Sequence, residues 1–455
     1  MALKQGFEAK GGFDPNFSTG TFDNYDCFYK LHWSLPIAEK LDHQIDFQKS
    51  TVIVEHAGVA LQRNYVEENN ETYGLAGIIG GAHYVHSHVT GIAMELYGVG
   101  YIMGPGAGLP KTLADRRIPE HREYFMRHAG NNTIIVNGTT HGTQRGSWGR
   151  DFYVWQNTTV NEASEPKHLE DPISPNFSFT TQYLKDEVNN CEQQRTLSII
   201  RTSENTGYYF DLFRSKSLEK NDFHDYIYHN LGDETHIFNS NEEELIVNST
   251  SRYQTDIGDL RKSPGWRFFE DTKVTAPQDR PIKVHFDLNE TNSYMNMFAA
   301  GGVRREYTKA VGPETREAKG DYIDQKTQII AIRQEGEAWK RPFVHLFEPS
   351  TSNNTSVKSV EHLYRDDVIV GLQVKSEVGD KSIVDYIICQ EDEMQILSLT
   401  NLDLTFEGRF AVVRKEQDQE GTIVTLYIDE GNSLSFGEYL LEADADKKGL
   451  LEVNE

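Results

Sequence analysis

From Phe47 onward the chain is a succession of short stretches rich in β-branched and aromatic residues, each closed by Gly, Asn or Asp. NTIIVNG (132–138), RTLSIIRT (195–202), GYYFDLFRS (207–215), PIKVHFDL (281–288) and TQIIAIRQ (327–334) are examples. Such residues suit a pleated surface, and turn residues at short intervals leave each stretch the length of a strand rather than a helix. Helical spacing over more than about ten residues is almost absent; SLPIAEKLDHQI (34–45) comes nearest. The pattern predicts an all-β chain, with a large antiparallel β-sandwich over 47–350 and a small β-meander domain over 351–455. Residues 1–46 are expected to be irregular or briefly helical, and the loop-forming stretch EPSTSNNTSVKS (348–359) marks the second boundary.

Charge narrows the partners. Lys plus Arg number 45 against 70 Asp plus Glu, a net charge of -25. A field of that sign works against nucleic acid and acidic membrane surfaces, so an anionic ligand would need a local basic island. No apolar run approaches the roughly 18 residues a membrane helix requires. The three cysteines, Cys27, Cys191 and Cys389, are far apart and form no CxxC pair, so neither a disulfide framework nor a thiolate metal site is readable. The N-terminal residues hold no charged-then-apolar targeting run, which is expected of an intracellular chain or of a mature or truncated form.

Chemistry concentrates in 79–138. His83, His86 and His88 follow Gly80 and Gly81, and on an extended strand His86 and His88 share a face. Two imidazoles so placed can grip a metal or a sugar; equally, they can be a hydrogen-bonded surface pair. The cupin metal motif also starts from HxH, but it needs a glutamate three or four residues on, whereas Glu95 comes seven after His88. Next comes a dense basic island, Arg116, Arg117, His121, Arg122, Arg127 and His128. Guanidinium forks pair bidentately with carboxylate or sulfate, so the island reads as an anion site; the bland alternative is a loop whose arginines meet surface acids. Tyr124 lies within it, where nearby positive charge would favour the phenolate and base behaviour.

HYVHSHVTGIAMELYGVGYIMGPGAG followed by HREYFMRHAGNNTIIVNG resembles the β-sandwich half of the heparinase II/III-like polysaccharide lyases, as do RTLSIIRTSENTGYYFDLFRSKS, DYIYHNLGD and EAWKRPFVHLFEPS. The resemblance spans roughly 47–350. It implies β-elimination on a uronate-containing, sulfated polysaccharide such as ulvan or heparan sulfate, outside the cytoplasm. By resemblance His86 is the active-site histidine and His88 a zinc ligand, with Arg122 and Arg127 as carboxylate or sulfate contacts; His121, Tyr124, His83, Arg117 and Asn131 are further site candidates. Where the family places its other two zinc ligands this sequence has Gly104 and Asn131, which leaves a zinc site two ligands short. Family members also carry an N-terminal α/α-toroid that supplies a tyrosine, so a separate toroid partner is one expectation. A non-catalytic glycan-binding or structural module is the competing one.

Overall fold

The strand Gly207–Ser217, GYYFDLFRSKS, is apolar on both faces and therefore needs cover on both sides. In a computed structural model, which describes residues 51–68, 71–81, 90–106, 118–140, 159–186, 189–253, 263–315, 318, 322–323, 325–352 and 354–455, it receives that cover. The strand lies inside an eight-stranded antiparallel sheet that runs, edge to edge, from Glu234–Asn239 through Ile282–Leu288, Ser293–Ala299 and Ala338–Ser350 to Gly207–Ser217. Beyond it come Cys191–Arg201, Phe177–Asp186 and Val160–Glu165. The expected all-β antiparallel sandwich holds. Residues 1–50, including the candidate helical stretch, lie outside the described residues.

On one face of that sheet Tyr209 and Phe213 join Leu75, Ile79, Met94 and Leu96 of a five-stranded sheet (residues 52–104). Tyr226, Tyr228, Ile330 and Ile332 of a six-stranded sheet close the same core. On the other face Tyr208, Phe210 and Leu212 pack against Val374, Ile387, Phe410 and Val412 of the C-terminal sheet. Period-two alternation thus sends successive residues of one strand into two cores. The C-terminal sheet is a meander of long strands, from Val357–Arg365 to Lys448–Asn454. Trp266 packs on Tyr253 and Trp339 lies under the Lys216 ammonium, so both are packing residues; Trp148 and Trp155 lie outside the described residues.

Two buried arginines and one half-buried arginine are each held by an aspartate that also accepts a tyrosine hydroxyl. Arg195 meets Asp211 at 2.7 Å and 2.8 Å, with Tyr226 donating at 2.7 Å. Arg414 meets Asp385, with Tyr208 donating at 2.6 Å across the seam between the eight-stranded and C-terminal sheets. Arg333 meets Asp225, with Tyr253 donating at 2.6 Å. Removing one member of such a buried pair typically costs about 3–5 kcal/mol, because the other charge stays behind uncompensated.

Candidate functional site

The region singled out in the sequence is built around Asn132. Its residue type matters because an amide offers two donors and one acceptor oxygen at one point. The Asn132 Nδ2 donates to the carbonyls of Met94 (2.9 Å), Gly104 (3.1 Å) and Pro105 (3.1 Å), which clamps the Ala93–Gly98/Tyr101–Gly104 hairpin. Its Oδ1 accepts from the backbone N–H of His229 at 2.6 Å and from His229 Nδ1 at 3.0 Å. Arg195 reaches the Asn132 carbonyl at 2.6 Å and that of Ile92 at 2.9 Å, tying the clamp to the Asp211 pair.

This fixes the His229 tautomer. The Asn132 oxygen can only accept, so Nδ1 carries the proton, Nε2 is bare, and Nε2 accepts the Tyr124 hydroxyl at 2.9 Å. Burial pushes the His229 imidazole down to about 3, so it stays neutral throughout the ordinary pH range. Tyr124–His229–Asn132 is therefore a neutral hydrogen-bonded chain.

Tyr124 corrects one expectation. It is 0% exposed, in a core cluster with Phe125, Phe269, Ile227 and Ile329, and burial raises its phenol far above the ordinary tyrosine range. Desolvation dominates, and the Arg127 guanidinium donates to the Ser263 carbonyl. Tyr124 in this state donates its hydroxyl to His229. Arg127, expected as a carboxylate or sulfate contact, is itself buried.

The other candidates divide. His121 opens a short π-helix, His121–Phe125, and is partly exposed; Arg122 lies in the same turn, its side chain outside the described residues. Asn131 is buried, its Nδ2 donating to the Arg127 carbonyl at 2.6 Å and closing the turn around His128. His128 bonds Thr140 Oγ1 through Nδ1 at 2.5 Å. His83, His86, His88 and Arg117 lie outside the described residues. No local motif marks Asn132; strand alternation sets His229 on the face opposite Tyr226 and Tyr228, which join the core.

The zinc expectation meets two obstacles. A Cβ on Gly104 would sit 2.7 Å from the Tyr228 hydroxyl, so an acid has no room there. The Asn131 amide nitrogen is engaged with backbone. Among the described residues no group of three or more His, Cys, Asp or Glu is placed to hold a metal. The described residues do not fit the family's zinc.

Comparison with known proteins finds similarity to lyases. Residues 357–453 match the family of the endo-acting ulvan lyase C-terminal domain. The chain is 54% identical over 444 residues, 98% of its length, to an endo-acting ulvan lyase of Formosa agariphila, and it spans about half (54%) of that relative. The resemblance to the polysaccharide lyases therefore holds. A heparan sulfate lyase from Pedobacter heparinus overlays 72% of this chain and 40% of its own, at TM-score 0.44 and 11% identity. A heparinase III overlays 73% of this chain and 42% of its own, at TM-score 0.41 and 12% identity.

Proposed function

We propose that this chain, a relative of an endo-acting ulvan lyase over 98% of its length, is a polysaccharide lyase, or the β-sandwich half of one, that cleaves a uronate-containing, sulfated glycan. The 54% identity is the observation that carries the reading. In β-elimination a base removes the proton alpha to the uronate carboxylate, the C–H electrons form the new double bond, and the 4-linked oxygen leaves with a proton from an acid. The carboxylate must be neutralised as negative charge builds on it.

By resemblance His86 handles the proton, with His121 as a second proton-transfer group. His83, Arg117 and Arg122 face the carboxylate or sulfate, and Asn131 offers its remaining amide oxygen. Arg127 and Tyr124 act from inside, holding the turn that carries Arg122. The Asn132–His229 clamp keeps that turn and the Gly104–Gly106 backbone in register. His88 stays a candidate zinc ligand of a site that Gly104 and Asn131 do not complete. A polysaccharide lyase meets its polymer outside the cytoplasm, and among the described residues no helix is long and apolar enough to cross a membrane.

Incubation with ulvan, heparan sulfate and alginate, followed by the ultraviolet absorbance of the unsaturated uronate, tests the reading. Ulvan is expected to respond most. A glycan-binding module is the second reading, favoured by the burial of Tyr124 and Arg127. Binding without turnover, abolished by Arg122→Ala, would establish it.

A further inference from the structure

Some distance from the Asn132 clamp lies a cleft of about 640 Å³, within the range of small-ligand sites. It opens where the six-stranded sheet ends: Phe223 pairs with Glu335 there, while His229 pairs with Ile329. Six residues of strand put roughly 20 Å between the two places. Arg304, Arg305, Lys340 and Arg341 line the cleft, with Glu335 and Asp367 on its walls.

In a chain of net charge -25, arginines normally find acids. Arg195, Arg333 and Arg414 each do. Arg305 does not. It is 1% exposed, its Nε donates to Gln334 Oε1 at 3.0 Å and its Nη2 to the Pro342 carbonyl at 2.6 Å, and its buried Nη1 has no partner among the described residues. Burial without a carboxylate brings its guanidinium down to about 10. Arg304, Lys340 and Arg341 are exposed and likewise have no carboxylate partner among the described residues. Two of the acids lining the cleft are already engaged: Glu306 holds Arg252, and Glu337 accepts from the backbone of Trp339 and Lys340.

Tyr364, 39% exposed, stands beside this group, close to Gly302 and under the influence of Arg305 and Arg341. A partly exposed aromatic ring next to guanidinium forks with no carboxylate partner among the described residues suits a sugar ring bearing an anion. Glu335 and Asp367 can accept from its hydroxyls. The mixture of signs disfavours a densely charged polyanion and suits a chain whose anionic groups are spaced by neutral ring surface.

We propose that this cleft is a second, non-catalytic binding site for an anionic saccharide, in which Arg304 and Arg341 grip a carboxylate or sulfate and Tyr364 stacks on the ring. The proposal rests on the lyase reading for the identity of the saccharide. It adds a hold on the polymer at a distance from the place of cleavage.

The test is binding of ulvan, desulfated ulvan and neutral dextran to the chain and to its Arg304→Ala/Arg341→Ala variant, by calorimetry at low and raised salt, with ulvan turnover measured in parallel. Both side chains are exposed, so the variant should fold, as circular dichroism would verify. The expected result is about tenfold weaker ulvan binding in the variant, the size of one lost charge-assisted contact. Dextran should not bind, the wild-type advantage should shrink with salt, and turnover of short ulvan oligosaccharides should be retained. Equal ulvan affinity of the two proteins would overturn the site and leave the lyase reading standing if turnover is seen. Absence of any ulvan binding by the wild type would overturn the site as well, while the turnover arm judges the lyase reading separately.

Discussion

The Tyr124 hydroxyl donates to His229 Nε2 at 2.9 Å in a fully buried position, and that contact sets the roles of both residues. It makes His229 a neutral acceptor and Tyr124 a donor with a strongly disfavoured phenolate.

Tyr124→Phe should therefore act as a packing and hydrogen-bond change. It strands the bare His229 nitrogen, at a cost of about 1–3 kcal/mol in thermal or denaturant unfolding. Turnover should fall less than about tenfold with an unchanged pH profile, whereas loss of a general base costs roughly 10²–10⁴. A collapse of kcat with a lost pH limb would return Tyr124 to the role of base.

Asn132→Ala removes donors to three carbonyls and the acceptor for His229 at once. The expected loss is about 3 kcal/mol or more. Asn132→Asp should be at least as damaging, because its carboxylate would face those same carbonyl oxygens. A denaturant midpoint within error of wild type for either variant would show that the clamp is not what holds the hairpin.

Asp429 carries the alkaline limb of stability. Burial, with Glu165 and Glu430 nearby, raises its carboxyl to about 8, and neither oxygen has a hydrogen-bond partner among the described residues. The folded state thus favours the proton, so this contribution is complete below the unfolded carboxyl range near 4 and is lost as pH rises to about 8. Asp429→Asn should raise the melting temperature at pH 8–9 by several degrees and change it little at pH 4, since about 1 kcal/mol moves Tm by a few degrees in a chain this size. An equal shift at both pH values would disprove the linkage.

His229 works in the opposite sense. Its imidazole is lowered to about 3, so the stability it supports is present above pH 6.5 and is lost as pH falls from there. His345, fully buried with no hydrogen-bond partner for either ring nitrogen among the described residues, and held well below the ordinary range by burial and by Arg305, adds to that acid limb. Unfolding free energy measured from pH 7 to 4 on His345→Gln should show a shallower decline than wild type; an identical slope would remove His345 from the account.

Much of the fold was legible because alternation is a local property. GYYFDLFRS announces a strand buried on both faces, and the structure sends Tyr208 and Tyr209 into separate cores. The candidate site was only partly legible, because its contacts join distant positions. Nothing in the local pattern of Asn132 says that its amide reaches carbonyls 27 to 38 residues away or that His229 lies 97 residues on. The basic island misled for a related reason. Charge density reads as exposure, yet Arg127 turns inward to a carbonyl 136 residues away, and Tyr124 is fully buried, which raises its phenol.

The central claim is that this chain belongs to the machinery of uronate β-elimination, with His86 handling the proton. Mass spectrometry of ulvan after incubation with the chain and with His86→Ala tests it most directly. The account predicts oligosaccharides ending in an unsaturated uronate with the wild-type chain, and their near-complete loss in the variant despite retained binding. Intact polymer with the wild type, or hydrolytic ends in place of unsaturated ones, would contradict it.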